Sequence, residues 1–166
     1  DKDQLLSESW NLQLALQKIQ KDLRSLLTQE QQRTALLSVR LFSLGETYSN
    51  ETFTTSVTID PDSNIDTLGN DIQNELFYVC KEAVSNALKH SNGNKVDLSV
   101  GIESSTGEIQ LTVQDNGDGM EDVTLRSSGT QNMEKRMKRI GGTFSLVNAD
   151  GGGLRARASV SDPDQE

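Results

Sequence analysis

The sequence predicts a two-layer α/β sandwich, a mixed sheet covered on one face by helices, preceded by a helix that carries an apolar seam. Three observations predict it. Phe53, Thr55, Val57 and Ile59, then Val96, Leu98, Val100 and Ile102, then Ile109, Leu111 and Val113 alternate with mostly polar residues, as half-buried strands do. A long stretch of helical period stands between the first and second of these. The order is helix, strand, helix, then three to four strands with one helix inserted, which favours one sheet with its helices on one side. A doubly wound fold would alternate strands and helices throughout and carry its glycine turn after the first strand.

Leu5, Leu12, Leu16, Ile19, Leu23 and Leu26 form a coiled-coil or bundle seam, with Asp, Lys, Gln and Ser between them. The polar run 28–33 breaks it and places a boundary, so 1–33 and 34–160 are expected to be separate, with a disordered tail over 161–166. A helix over 35–44 and the strand from Phe53 follow, and Pro61-Asp62-Ser63-Asn64 closes that strand. The long helix is expected over 68–89, burying Ile72, Leu76, Val79, Ala83 and Leu88. The next two strands form a hairpin about Ser104-Ser105-Thr106-Gly107. A polar loop, 121–128, leads to a helix over 131–140 that Gly141-Gly142 terminates, and strands over 143–148 and 154–160 complete the sheet.

With 166 residues the chain fits one domain and an appended element. A net charge of -9 argues against a surface that tracks nucleic-acid phosphates and against contact with anionic lipid. No apolar run is long enough to span a bilayer and no signal peptide is visible. Cys80, the single cysteine, lies in an apolar stretch and reads as a small buried hydrophobe. It favours a reducing compartment, and the expected location is cytoplasmic, either free or as the cytoplasmic part of a membrane-anchored protein.

Two motifs carry chemistry. In Glu82-Ala83-Val84-Ser85-Asn86-Ala87-Leu88-Lys89-His90, the residues Glu82, Asn86, Lys89 and His90 share one helical stripe and can converge on a ligand. An asparagine one turn from a carboxylate suits magnesium, which accepts few protein oxygens and keeps water or phosphate ligands, and Asn86 is the expected metal ligand. Glu82 could hold a metal-bound water or act as a base. Lys89 offers a positive charge to phosphate oxygens, and His90 either donates a ring N–H to phosphate or packs the helix end.

The second motif, Asp115-Asn116-Gly117-Asp118-Gly119-Met120, reads as a strand that ends in a glycine turn. Asp115 is an acceptor suited to the exocyclic amine of adenine. Position twelve from Asp115 is Arg126, not the glutamate of a calcium loop, and no P-loop sequence is present. Loop 121–128 lacks a core pattern and is expected to close over a bound nucleotide. Arg126 and the cluster Lys135, Arg136, Lys138 and Arg139 could face the phosphates or a partner, and most of them are expected to form a solvated helix face.

The first motif resembles the N box, and the second the first glycine box, of the ATPase fold shared by DNA gyrase, histidine kinases and the mismatch-repair protein MutL. Gly129-Thr130-Gln131-Asn132-Met133, Lys135-Arg136, Ile140-Gly141-Gly142 and Gly151-Gly152-Gly153 resemble the tail of sensor histidine kinases of the nitrate-sensor (NarL-partner) class. The likeness covers about residues 68–160. It implies a Bergerat-type ATPase fold that binds ATP and Mg2+, with Asn86 holding magnesium, Asp115 contacting adenine, Gly117 and Gly119 shaping the pocket, and Gly129 with Thr130 ending the lid. Where the family usually has Thr after its last glycines this chain has Leu154, and Ser127-Ser128-Gly129-Thr130 replaces the usual Gly-x-Gly-Leu.

The seam resembles the second helix of the dimerisation and phosphotransfer bundle that precedes such a domain. The resemblance thus implies a two-component histidine kinase segment that dimerises with itself and relays phosphate to a response regulator receiver domain, with its phosphoacceptor helix absent from this sequence. A stand-alone regulator of the same fold, such as an anti-sigma-factor serine kinase, and a degenerate scaffold are the alternatives.

Overall fold

The computed structural model describes residues 12, 15–23, 25–26, 34–123 and 127–162. The chain divides into two compact units, Asp1–Ala35 and Leu36–Glu166. In the first, residues 15–23 are helical, and Leu12, Leu16, Ile19, Leu23 and Leu26 are each exposed. Leu5 and the expected boundary at 28–33 lie outside the described residues, as do 124–126 of the expected loop and 163–166 of the expected tail.

The second unit runs α1 (Leu37–Thr47), β1 (Thr54–Ile59), two 3-10 turns, α2 (Asn70–His90), β2 (Lys95–Ile102), β3 (Ile109–Asp115), α3 (Ser128–Arg139), β4 (Thr143–Asn148) and β5 (Leu154–Val160). The sheet order is β1-β2-β3-β5-β4. β1 pairs parallel with β2 through the α2 crossover, and the other pairs are antiparallel. β3 carries the alternation most cleanly: Ile109, Leu111, Val113 and Asp115 are all buried. A carboxylate therefore takes the last inward position of an otherwise apolar row.

The helices cover that face through Leu37, Leu41 and Leu44 of α1, Leu76, Cys80 and Val84 of α2, and Met133 and Met137 of α3. Two helix starts depend on groups that periodicity does not reveal. The Leu37 N–H donates to Oε1 of buried Gln73 at 3.0 Å, and the Ser38 N–H donates to Asp66 Oδ1 at 2.8 Å. Partners from elsewhere in the chain thus satisfy the open end of α1. For this reason α1 starts at Leu37 and not at 35; it runs on to Thr47, past the expected 44. Ser127 caps α3, its Oγ accepting from the Thr130 N–H at 3.2 Å, so that helix starts at Ser128, three residues before the expected 131.

One core expectation is corrected. Leu88 is 41% exposed, and Ala87 takes the inward position. At about 100° per residue, Leu88 points well away from the stripe through Leu76, Cys80, Ala83 and Ala87.

Cys80 is fully enclosed, and burial pushes its thiol from 9.0 up to about 12. Thiolate is the reactive form. Native protein should therefore resist a thiol reagent at pH 8 on a timescale where the unfolded chain reacts at once. Because the folded value is raised, the thiol's contribution to stability is whole below pH 9.0 and is lost as pH rises toward about 12. Prompt labelling of the native chain would contradict the enclosure.

Candidate functional site

A cavity of about 470 Å³ lies between α2, the start of α3 and the β3 end of the sheet. Strand register builds its apolar floor. Val113 pairs with Ala156 and Ala156 with Leu146, so three inward side chains from β3, β5 and β4 stand in one row. Met133 of α3 adds a flexible apolar surface.

One face of α2 supplies the opposite wall. Glu82, Asn86 and His90, one turn apart, line it together with Ala83 and Ala87. None of the three polar side chains takes a hydrogen bond or ion pair from a described residue. On the helical wheel these five span about 140°, and Lys89 falls about 20° beyond Glu82, outside the arc. Lys89 is exposed and does not line the cavity, so the structure does not bring it to the other stripe residues.

Asp115 stands at the floor's edge, only 6% exposed. Its Oδ1 accepts from the Gly117 N–H at 2.8 Å and from the Leu154 N–H at 3.3 Å. These two bonds fix the carboxylate, and Oδ2 has no partner among the described residues. The second bond comes from the Leu154 backbone N–H and so does not depend on that residue's side chain.

Gly153 makes this possible. It has φ +82°, and a Cβ there would overlap the Asp115 carbonyl oxygen and lie 2.7 Å from Asp115 Oδ1. The sequence marks the triple glycine without showing that its last member backs the aspartate.

The remaining expected residues fall as follows. Gly119 and Met120 line the mouth, with the Met120 N–H donating to Asn148 Oδ1 at 2.9 Å. Gly117 does not line the cavity: it packs against the Ser91 backbone and orients Asp115 through its N–H. Ser127, Gly129 and Thr130 line the α3 side. A Cβ at Gly129 would lie 2.5 Å from Glu82 Oε1 and 3.3 Å from Asn86 Nδ2, so the bare glycine lets α3 approach the polar wall. Of the basic cluster, Arg136 and Arg139 pair with Glu75 of α2 at 2.9 and 3.6 Å, while Lys135 and Lys138 are exposed. No helix among the described residues is long and apolar enough to cross a membrane.

The donor set admits a nucleotide and a hard cation. The cavity volume falls in the usual range for small-molecule sites. One wall is an apolar row with a fixed acceptor at its edge, and the other holds a carboxylate and an amide without partners among the described residues. Among the described residues no three His, Cys, Asp or Glu side chains gather, so a cation here would depend on the asparagine, water and ligand oxygens.

Comparison with known proteins agrees. The sequence profile of the histidine kinase-, DNA gyrase B-, and HSP90-like ATPases matches residues 71–163, more than half of the chain. Sensor histidine kinase LiaS of Bacillus subtilis is 34% identical over 91 residues, 54% of this chain and 25% of that protein. Sensor protein VraS of Staphylococcus aureus is 38% identical over 86 residues, 51% of this chain and 24% of that protein. The match thus spans about a quarter of these relatives' length.

Among solved structures, the ATP binding domain of PrrB from Mycobacterium tuberculosis superposes with a TM-score of 0.60 at 22% identity, covering 78% of this chain and 96% of that one. The Acinetobacter baumannii histidine kinase AdeS gives 0.60 at 16% identity, covering 90% and 80%. At these identities the likeness is one of fold. With the profile match and the mixed five-stranded α/β sheet, the chain belongs to the histidine kinase-, DNA gyrase B-, and HSP90-like ATPase family.

Proposed function

We propose that this unit binds ATP with Mg2+ and, as the catalytic part of a two-component sensor histidine kinase, passes the γ-phosphoryl group to a histidine on a bundle helix, for relay to a response regulator. The observation that carries the reading is the cavity itself: Glu82, Asn86 and His90, without side-chain partners among the described residues, line one wall, and the fixed carboxylate of Asp115 stands on the other. Family membership supports the nucleotide, and the likeness to LiaS and VraS supports the kinase context.

In this reading adenine lies on Val113, Leu146 and Ala156, with its exocyclic amine donating to Asp115 Oδ2. Asn86 would hold magnesium, whose charge would offset that of the phosphates. Gly129 and Thr130, at the start of α3, bound the phosphate side together with Glu82. Glu82 takes the proton of the attacking imidazole as the nitrogen–phosphorus bond forms and the bond to the β,γ-bridging oxygen breaks, releasing ADP. Positioning and charge neutralisation supply most of the rate. His90, on the same wall, donates to a phosphate oxygen. Lys89 contributes only long-range charge, since it stands outside the wall. The exposed leucine seam supports self-association of the longer protein through its bundle.

Asp115→Asn tests base reading. The amide oxygen can still accept from Gly117 and Leu154, but a donor then replaces Oδ2 and faces the donor amine of adenine. ATP and ADP affinity should fall roughly ten- to a hundredfold, the scale of one lost charge-assisted hydrogen bond, while weak GTP binding stays as it was. An equal loss for both nucleotides contradicts the assignment.

A further inference from the structure

A second cavity, of about 210 Å³, opens on the other side of Glu82. Its wall is formed by Tyr48 at the end of α1, Tyr78, Lys81 and Ser85 of α2, and Asn132 and Arg136 of α3. Glu82 and Met133 belong to both cavities. On the helical wheel Lys81, Ser85 and Tyr78 occupy the arc of about 100° next to Glu82 on the side away from Asn86, so the two cavities adjoin along that one glutamate.

Donors dominate the new wall. Arg136 is already neutralised, with Nη1 2.9 Å from Glu75 Oε2 and its guanidinium 4.8 Å over the Tyr78 ring. Lys81 is exposed and makes no ion pair or hydrogen bond with any described residue. The side-chain groups of Tyr48, Ser85 and Asn132 also have no hydrogen-bond partner among the described residues. A cation with unpaired hydroxyl and amide donors around it, in a chain of net charge -9, calls for an oxyanion.

We propose that this cleft seats one carboxylate side chain of the protein segment that delivers the acceptor imidazole, with Lys81 as its ion-pair partner. The inference rests on the kinase reading above and adds a positioning residue to it. Size excludes a second nucleotide, since the volume is less than half that of the main cavity. Glu82 in the shared wall disfavours a dianionic phosphate more than a single carboxylate charge. A free metabolite would lose its full translational freedom for one ion pair. A carboxylate carried by the segment already docking beside Glu82 does not, because its capture is intramolecular.

The test uses the longer protein, with its acceptor helix ahead of this chain, bearing Lys81→Ala, Lys81→Arg or Lys81→Glu. Autophosphorylation at saturating Mg-ATP should fall roughly ten- to a hundredfold in Lys81→Ala, further in Lys81→Glu, and recover most of its rate in Lys81→Arg. Calorimetric ATP affinity and Tm should match wild type in all three. Unchanged transfer in Lys81→Ala, a parallel loss of ATP affinity, or no rescue by arginine overturns the proposal. So does inhibition by millimolar inorganic phosphate that Lys81→Ala abolishes, which would assign the cleft to a free anion. Wild-type protein that binds no ATP fails the kinase reading itself, and calorimetry reports that before any variant is compared.

Discussion

Asn86→Ala should remove most magnesium-dependent nucleotide binding and leave the fold intact. Asn86 lines the cavity, takes no hydrogen bond from any described residue, and lies outside the apolar core. Alanine is the best helix former, so α2 loses nothing locally. Losing the proposed metal ligand should weaken Mg-ATP by about two orders of magnitude or more, since even outer partners of metal ligands are worth ten- to a hundredfold. Tm should move by no more than ~2 °C, as for an ordinary substitution outside the core. Wild-type affinity in this variant removes Asn86 from the site.

Gly153→Ala should have the largest effect on stability. The backbone at φ +82° disfavours any side chain, and the added methyl would overlap the Asp115 carbonyl oxygen. Strain of about 1–3 kcal/mol and overpacking of similar size together lower Tm by roughly 10 °C. Relaxation would move Asp115, so adenine binding should weaken even in the fraction that folds. Gly151→Ala is the control: nothing lies within 4 Å of a Cβ there, and its φ is not positive. Thermal unfolding of the pair checks the prediction, and equal Tm values would contradict the close approach of β5 to Asp115.

What the sequence discloses is local repetition. Period two marks β2 and β3, and the helical stripe of α2 is enough to set Glu82, Asn86 and His90 on one face. Beyond the β2–β3 hairpin, which its turn residues announce, pairing partners leave no such mark. The parallel union of β1 with β2 and the insertion of β5 between β3 and β4 follow from crossovers that a linear pattern does not encode. Capping by Gln73 and Asp66 is equally silent, because both residues are distant in sequence from the helix start that they satisfy.

Within the site, spacing gave angles but not the width of the arc. Lys89 missed the cavity by about 20° and Leu88 missed the core, although each sits within a residue of a position that reached it. Gly153 and Lys81 act through what approaches them, a carbonyl in one case and an open cleft in the other, and no neighbour in sequence signals either. The glycine and N-box motifs were legible because their chemistry is written in side chains on one element each.

The central claim, that these two motifs form one adenine-nucleotide site, is tested most directly by titration calorimetry of ADP and ATP with and without magnesium, with GTP as the control. The expected result is saturable binding that requires magnesium for full affinity and prefers adenine over guanine. No binding, or equal binding of ATP and GTP, would contradict it.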